Sequence, residues 1–211
     1  MGHTSVGLVG VGDSFLQMGL SARGGSGPAR LVTVCRLAER RKNVDLVIRA
    51  LAELKDRHPF TYTVVGDGAT RASLEGLAAE LGLGDRVRFT GRVSQVELMQ
   101  QLASADLFIL PSSTLPGSHE GFGIAYLEAN AAGAPVLAAR LAGAIEAVEE
   151  GVSGMFVDEP TVPQIRAAIE RFLYGEARFD ARRCRDFASR FTWERVARHF
   201  TDCYARVAAP R

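Results

Sequence analysis

Residues 31–65 read LVTVCRLAERRKNVDLVIRALAELKDRHPFTYTVV, and they alternate between two kinds of periodicity. The first five residues, Leu31–Cys35, form a valine-rich apolar run that is typical of a buried strand. Apolar residues then recur at 44, 46, 47, 50, 51 and 54, the spacing of an amphipathic helix over 43–57, with Asn43 as the candidate N-cap. A second strand, Tyr62–Val65, follows. Strands separated by a helix in this way predict a parallel pair.

The same alternation continues toward the C-terminus. It predicts that helices cover both faces of a parallel sheet, an α/β Rossmann-like fold with right-handed crossovers. Ligands of such sheets bind at the carboxyl ends of the strands, so the loops after Cys35, Val65, Thr90, Leu110 and Ala139 should surround the site. The elements predicted between residues 70 and 139 are Thr70–Leu81 (helix), Val87–Thr90 (strand), Gln95–Leu102 (helix), Leu107–Leu110 (strand), 122–132 (helix) and Pro135–Ala139 (strand). Three further helices are predicted to complete the chain.

The periodicity also divides the chain into three parts. Residues 1–30 are rich in glycine and serine and show no sustained period, so they are interpreted as a linker. Residues 31–190 form the predicted Rossmann-like domain. Residues 191–211 form a last helix with an apolar stripe, and its members lie at 193, 196, 197, 200, 203, 204 and 207.

Composition narrows the class of protein. The chain has 211 residues, of which 47% are apolar and 23% charged, and its net charge is +1 from 25 basic and 24 acidic side chains. This balance argues against a nucleic-acid-binding surface. The cysteines Cys35, Cys184 and Cys203 are odd in number and widely spaced, so we expect reduced thiols in a cytoplasmic protein. No signal peptide is predicted, and no apolar run approaches the length of a transmembrane helix.

The loop that follows Leu110 carries the most chemistry. Gly121, Phe122 and Gly123 precede a predicted helix, whose unpaired N–H groups and positive dipole end suit a phosphate. Glu120 and Glu128 are eight residues apart, about 12 Å along a helix axis and some 80° around it. Both can face one groove. A nucleotide sugar in that groove would place its hexose at Glu120, its diphosphate at the helix start and its ribose at Glu128, because carboxylates accept hydrogen bonds from vicinal hydroxyls.

This segment resembles the E-x(7)-E signature of glycosyltransferase family 4, retaining enzymes of the GT-B fold. Gly143 and Glu146 also resemble the family, although Ala142 stands where the family usually has glycine. The similarity runs from about residue 31 to 157, and its other motifs are Arg36-Leu37, 42–46 (KNVDL), 64–68 (VVGDG), 87–91 (VRFTG) and 105–112 (ADLFILPS).

The resemblance implies a role for each matching residue. Arg36 and Lys42 would neutralise the donor diphosphate, with Arg41 as the alternative to Lys42 because it falls at the spacing that many relatives have. Glu120 would bind the transferred sugar and Glu128 the ribose. Gly121 belongs to the phosphate-binding helix start. The backbone of Phe122, Gly123 and Ile124 would help to hold sugar and phosphate. The base would contact Gly91, Arg92 and Val93.

The resemblance also has implications for cofactors and partners. No D-x-D sequence is present, so no catalytic metal is expected. No cofactor is expected either, and the donor substrate would be a UDP-, GDP- or ADP-sugar. Family members have two lobes, and the acceptor-binding lobe comes first. This chain resembles the C-terminal, donor-binding lobe alone, with residues 1–30 similar to the interlobe linker. We therefore expect the N-terminal acceptor lobe as a partner, exposed apolar surface where it docks, and no transfer by this chain alone.

Three alternative functions remain at this point. A GT-B phosphorylase or epimerase would share the donor groove, and a non-catalytic nucleotide-binding module fits the length of the chain. An NAD-dependent oxidoreductase has weaker support. Gly66-Asp67-Gly68 matches half of a dinucleotide fingerprint, but Arg71 stands where the third glycine belongs. His119, beside Glu120, is expected to line a loop, with a catalytic base as the less favoured role.

Overall fold

The computed structural model describes residues 10–20, 27–38, 40–114, 123–141 and 143–208. Six strands and nine α-helices alternate along these residues, and two 3₁₀ turns lie at Arg40–Lys42 and Ser189–Phe191. The strands are β1 (Ala29–Val34), β2 (Phe60–Val65), β3 (Val87–Gly91), β4 (Leu107–Leu110), β5 (Val136–Ala139) and β6 (Gly154–Val157). The helices are α1 (Asp13–Leu16), α2 (Val44–Ala52), α3 (Arg71–Glu80), α4 (Gln95–Ser104), α5 (Ile124–Ala131), α6 (Ala144–Ala147), α7 (Val162–Leu173), α8 (Ala181–Ala188) and α9 (Trp193–Ala208).

The strands form one sheet in the order β3-β2-β1-β4-β5-β6, and every neighbouring pair is parallel. β1 is central, pairing Ala29 with Phe60 of β2 and Leu31 with Leu107 of β4. The chain winds outward to β3, returns to β4, and then winds the other way. This reversal between β1 and β4 is the topological switch point, where sheets of this kind bind ligands. The predicted Rossmann-like parallel sheet is confirmed.

Helices cover both faces of the sheet because successive strand residues point in opposite directions. In β1, Leu31 packs into the core that α2, α3 and α7 close, whereas Val32 packs into the core under α1, α4, α5, α6 and α8. Both residues are at most 2% exposed. Consequently α2 and α5, which follow the two switch-point strands, lie on opposite faces. A crevice between their starts follows from this arrangement.

Two features of α2 differ from the sequence-based expectation. The helix ends at Ala52, and residues 53–57 form turns. Asn43 does occupy the N-cap position, but its side chain makes no capping bond. The prediction that its side chain caps the helix is therefore wrong. The amide of Asn43 donates to other acceptors, described below.

The described residues before β1 pack on the domain. Val11 and Phe15 are buried in the core of the α5 face, and the Val11 N–H donates to the Phe191 carbonyl oxygen at 2.7 Å. Arg185 of α8 donates to the Met18 carbonyl oxygen at 2.6 Å. Within the described part of the chain, no helix combines the length and the apolar character that a membrane crossing requires.

Candidate functional site

The loop after β1 carries Arg36, and backbone hydrogen bonds hold both of its neighbours. The N–H groups of Cys35 and Leu37 donate to the carbonyl oxygens of Val65 and Asp67, each at 3.0 Å, and the Thr70 hydroxyl donates to the Leu37 carbonyl oxygen at 2.7 Å. This packing is so close that a Cβ at Gly66 would lie 1.9 Å from the Cys35 carbonyl oxygen. The exposed side chain of Arg36 therefore projects from a firmly held backbone.

The basic turn Arg40–Lys42 follows, and it reaches the loop after β4. Arg41 and Lys42 are half-buried, and the Arg41 carbonyl oxygen accepts from the Ser113 N–H at 2.7 Å. Lys42 also lines a cavity of about 450 Å³ between α2 and α3. The binding of the diphosphate by Lys42, with Arg41 as the alternative, stays a prediction.

The start of α5 is anchored to the end of β4. Gly123 has φ 80°, and a Cβ there would lie 2.4 Å from Cδ2 of Tyr126. The Tyr126 hydroxyl donates to the Leu110 carbonyl oxygen at 2.7 Å. Ile124, the first residue of the helix, is 42% exposed. The start of the helix thus lies at the carboxyl end of β4, and the side chain of its first residue is exposed.

Glu128 lies in α5, one helical turn after Ile124, and its side chain is half-buried. Burial raises the pKa of this carboxyl from 4.5 to about 7. Among the residues that the structure describes, none gives the carboxylate a hydrogen bond or an ion pair. A half-buried carboxylate to which no protein group donates a hydrogen bond raises the free energy of the folded state. A ligand with hydroxyl groups would supply the missing donors.

This raised pKa predicts how Glu128→Gln changes stability. Between pH 4.5 and about 7, the Glu128 carboxyl is mostly protonated in the folded chain and mostly ionised in the unfolded chain. The free energy of unfolding therefore falls as pH rises through this window, and the destabilisation is complete above pH 7. We expect Glu128→Gln to raise the free energy of unfolding by about 2 kcal/mol at pH 8 and by less than about 0.5 kcal/mol at pH 4.5. Urea unfolding measures both values. Equal changes at the two pH values would contradict the burial argument, and Glu176→Gln, on an exposed glutamate, is the control.

The carboxyl end of β3 forms the far side of the site. Gly91 has φ 70°, and its carbonyl oxygen accepts from the Gly66 N–H at 2.9 Å. A Cβ on Gly91 would also lie 2.8 Å from Nη1 of Arg71. Arg92 is exposed and Val93 is half-buried. The structure therefore places the predicted base-contacting residues at the same edge of the sheet as Arg36.

Some predicted residues lie outside the described part of the chain. They are Glu120, Gly121 and Phe122, with His119 and Ala142, and their roles stay predictions. Gly143 is described and has φ −64°, an ordinary helical value that does not require glycine. No cluster of three or more His, Cys, Asp or Glu suited to a metal ion occurs within the described ranges.

Sequence reasoning missed two residues that shape this site, Asn43 and Ser113. The amide of Asn43 donates to the Pro111 carbonyl oxygen at 2.6 Å and to the Ser113 hydroxyl at 2.7 Å. An asparagine before a helix was interpreted as a cap, and no local signal distinguishes a cap from a contact with residues about 70 positions away.

Comparisons with known proteins agree with this geometry. The family model for group 1 glycosyl transferases matches residues 24–190. A GDP-mannose-dependent alpha-(1-6)-phosphatidylinositol monomannoside mannosyltransferase of Mycolicibacterium smegmatis is 42% identical over 145 residues, which cover 66% of this chain and 38% of that protein.

Two solved structures extend the match. Sucrose-phosphate synthase from Thermosynechococcus elongatus is 28% identical with a TM-score of 0.73, covering 86% of this chain and 46% of that one. Anabaena HepE, in complex with UDP, is 26% identical with a TM-score of 0.69, covering 86% and 50%. The chain thus spans half or less of the length of these relatives. Because the family match covers most of the chain, the protein belongs to the group 1 glycosyl transferases.

Proposed function

We propose that this chain is the donor-binding half of a retaining glycosyltransferase that uses a nucleoside-diphosphate sugar. The observation that carries the proposal is the convergence of three features at one switch-point crevice. These are the Arg36 loop with its basic turn, the start of α5 at the end of β4, and the Glu128 carboxylate, to which no described residue donates a hydrogen bond. The carboxyl end of β3, followed by the exposed Arg92, completes the edge.

The basic groups suit the leaving group of the reaction. When the glycosidic bond to the donor breaks, the departing nucleoside diphosphate gains negative charge. Arg36 and either Lys42 or Arg41 would stabilise that charge from fixed positions, and the N–H groups at the start of α5 would add to the effect. Fixed cations of this kind replace a metal ion, so we propose metal-independent transfer.

Glu128 suits the ribose. An ionised carboxylate can accept a hydrogen bond from each of two vicinal hydroxyls, and the half-buried position strengthens such bonds. Gly91, Arg92 and Val93 would contact the base. The relatives do not agree on one base, because the mycobacterial enzyme is named for GDP-mannose and the Anabaena structure contains UDP. UDP, GDP and ADP therefore all remain candidates.

We propose that the acceptor-binding lobe is a separate part of the active enzyme. The relatives are about twice as long as the matched region or longer, and this chain aligns with less than half of the mannosyltransferase. The chain alone should bind donor and transfer nothing. In the two-lobed enzyme, front-face attack with the acceptor proton passing to the leaving phosphate would retain the anomeric configuration. A cytoplasmic location likewise stays a prediction.

Calorimetric titration of the purified chain with UDP, GDP, ADP and NAD, with and without EDTA, tests the proposal. We expect saturable binding of one nucleoside diphosphate that is indifferent to EDTA. Binding of NAD alone would overturn the proposal, and binding that EDTA abolishes would overturn its metal-independent part. An assay with inorganic phosphate tests for a phosphorylase, and an assay with a nucleotide sugar alone tests for an epimerase.

The surface of α9 gives a further prediction about the second lobe. Trp193, Phe200 and Tyr204 are 53%, 37% and 73% exposed, whereas Val196, on the same stripe, is buried. We propose that the acceptor lobe covers the exposed aromatics. Trp193 is the single tryptophan, so its emission reports on this face. We expect iodide to quench Trp193 in the chain alone and to quench it much less in a protein that carries both lobes. Equal quenching in the two proteins would contradict this docking.

A further inference from the structure

Three hydrogen bonds cross the floor of the crevice and join its two sides. The Ser113 N–H donates to the Arg41 carbonyl oxygen at 2.7 Å. The Asn43 amide nitrogen donates to the Pro111 carbonyl oxygen at 2.6 Å and to the Ser113 hydroxyl at 2.7 Å. We call the two bonds from this amide the Asn43 bridge. They connect the basic turn, on the α2 side, to the loop that follows β4 and leads toward α5.

The side chain of Asn43 is oriented unambiguously by its partners. A carbonyl oxygen can only accept, so the atom that faces Pro111 is the amide nitrogen, and both hydrogens of that nitrogen are used in the bridge. The residue is 7% exposed. The bond to Pro111 is therefore shielded from solvent, whereas the bond to the half-buried Ser113 is shielded only in part, and loss of the amide would leave the Pro111 carbonyl oxygen without this donor.

The backbone of Asn43 shows that the side chain has a role beyond local geometry. Its φ is 54°, and it is the single residue other than glycine with a positive φ in the part of the chain that the structure describes. Glycine adopts this conformation without steric cost, and asparagine is one of the few other residues that tolerate it. Glycine would satisfy the backbone equally well, but it could not make the bridge. What asparagine adds at this position is the amide.

We propose that Asn43 is a positioning residue for the donor diphosphate. This inference rests on the proposed function. The α2 and α5 helices pack on opposite faces of the sheet, so no shared helix packing joins the two sides of the crevice. The pairing of β1 with β4 and the Ser113–Arg41 backbone bond bring the two loops together, and the Asn43 bridge adds two side-chain bonds that fasten the basic turn to the loop after β4. It thereby holds the basic turn at the distance from the α5 start at which both can contact one diphosphate, and such preorganisation strengthens electrostatic binding.

Asn43→Gly tests this role because glycine keeps the left-handed backbone and removes only the bridge. The measurement is the ratio of two calorimetric affinities at one salt concentration, that of the preferred nucleoside diphosphate and that of its nucleoside. We expect the ratio to fall about 10-fold, with the affinity of the nucleoside unchanged, because the diphosphate alone contacts the basic turn. General loosening of the fold would lower both affinities together.

Two other variants keep the test decisive. Ser113→Ala removes one arm of the bridge without altering Asn43, and it should lower the ratio about 3-fold if Asn43→Gly fails to fold. Asn130→Ala is the matched control, because this buried amide also donates twice, to Ala134 and Ser153 before β5 and β6. It should lower thermal stability and leave the ratio unchanged.

The outcomes separate the two claims. The positioning role alone is overturned if the wild-type chain binds a nucleoside diphosphate and a folded Asn43→Gly chain has the same ratio of diphosphate to nucleoside affinity as the wild type. An unchanged ratio in Ser113→Ala overturns it equally when Asn43→Gly does not fold. A wild-type chain that binds no nucleoside diphosphate overturns the proposed function, and the positioning role with it.

Discussion

Arg36→Ala is expected to lower the affinity of the chain for its nucleoside diphosphate about 100-fold, the result of removing a charge-assisted contact with phosphate. The reason lies in how Arg36 is held. Its neighbours Cys35 and Leu37 are hydrogen-bonded to the loop after β2, so the backbone that carries the guanidinium is already held in place before the ligand binds. The affinity for the nucleoside should not change, because the nucleoside has no phosphate to contact.

Calorimetry with the diphosphate and with the nucleoside measures this effect. Arg182→Ala is the control, since it removes the same charge from an exposed position on α8. The loss should shrink as salt rises, because screening weakens the contact with phosphate. In an enzyme that carries both lobes, Arg36→Ala should reduce turnover by at least as much, because the leaving diphosphate gains charge in the transition state. Normal turnover in that variant would rule out the role of Arg36.

Glu128→Ala is expected to lower the affinity for the nucleoside itself about 100-fold at pH 8, because two hydrogen bonds from the ribose to an ionised acceptor are lost. Here the nucleoside and the diphosphate should lose affinity to the same extent. This pattern distinguishes Glu128 from Arg36, whose removal should affect the diphosphate alone. Glu176→Gln again serves as the control for an exposed carboxylate. A Glu128→Ala chain that binds the nucleoside normally would overturn the assignment of the ribose.

The raised pKa of Glu128 adds a pH dependence with a definite sign. The ionised form accepts from both hydroxyls, and with a pKa of about 7 its population falls about 10-fold between pH 8 and pH 6. Nucleoside affinity should fall by the same factor over that range. Glu128→Ala should abolish the pH dependence. The nucleoside is the right probe, because it carries no phosphate that titrates in this window.

Binding and stability should thus respond to Glu128 in opposite directions. Above pH 7 the carboxylate lowers the free energy of unfolding, and Glu128→Gln relieves that cost while removing the acceptor. A stabilising substitution that also removes binding is the signature of a functional group held in an unfavourable environment.

The order of the elements could be predicted from the sequence because it depends on local periodicity. Short apolar runs indicated the strands and the period of 3.6 indicated the helices; together they located β4 at Leu107–Leu110 without error and placed most other elements within two residues. Short connections between alternating elements then required a parallel sheet. The positions of Arg36 and Glu128 at the carboxyl ends followed from the same alternation, together with the motif spacing that resembles known glycosyltransferases.

Other properties depended on residues that are distant in the chain. Asn43 contacts Pro111 and Ser113, so its amide bridges a crevice instead of capping α2. Gly66 must be glycine because the Cys35 carbonyl oxygen lies against it, and Val11 and Phe15 join the core although their segment has no periodicity. The burial that raises the pKa of Glu128 likewise comes from packing around α5. The strands, the helices and their order can therefore be predicted from the sequence, because backbone preferences and side-chain patterns are local. Which distant groups meet and which are buried depends on the folded chain, because contacts and desolvation follow from how the loops pack.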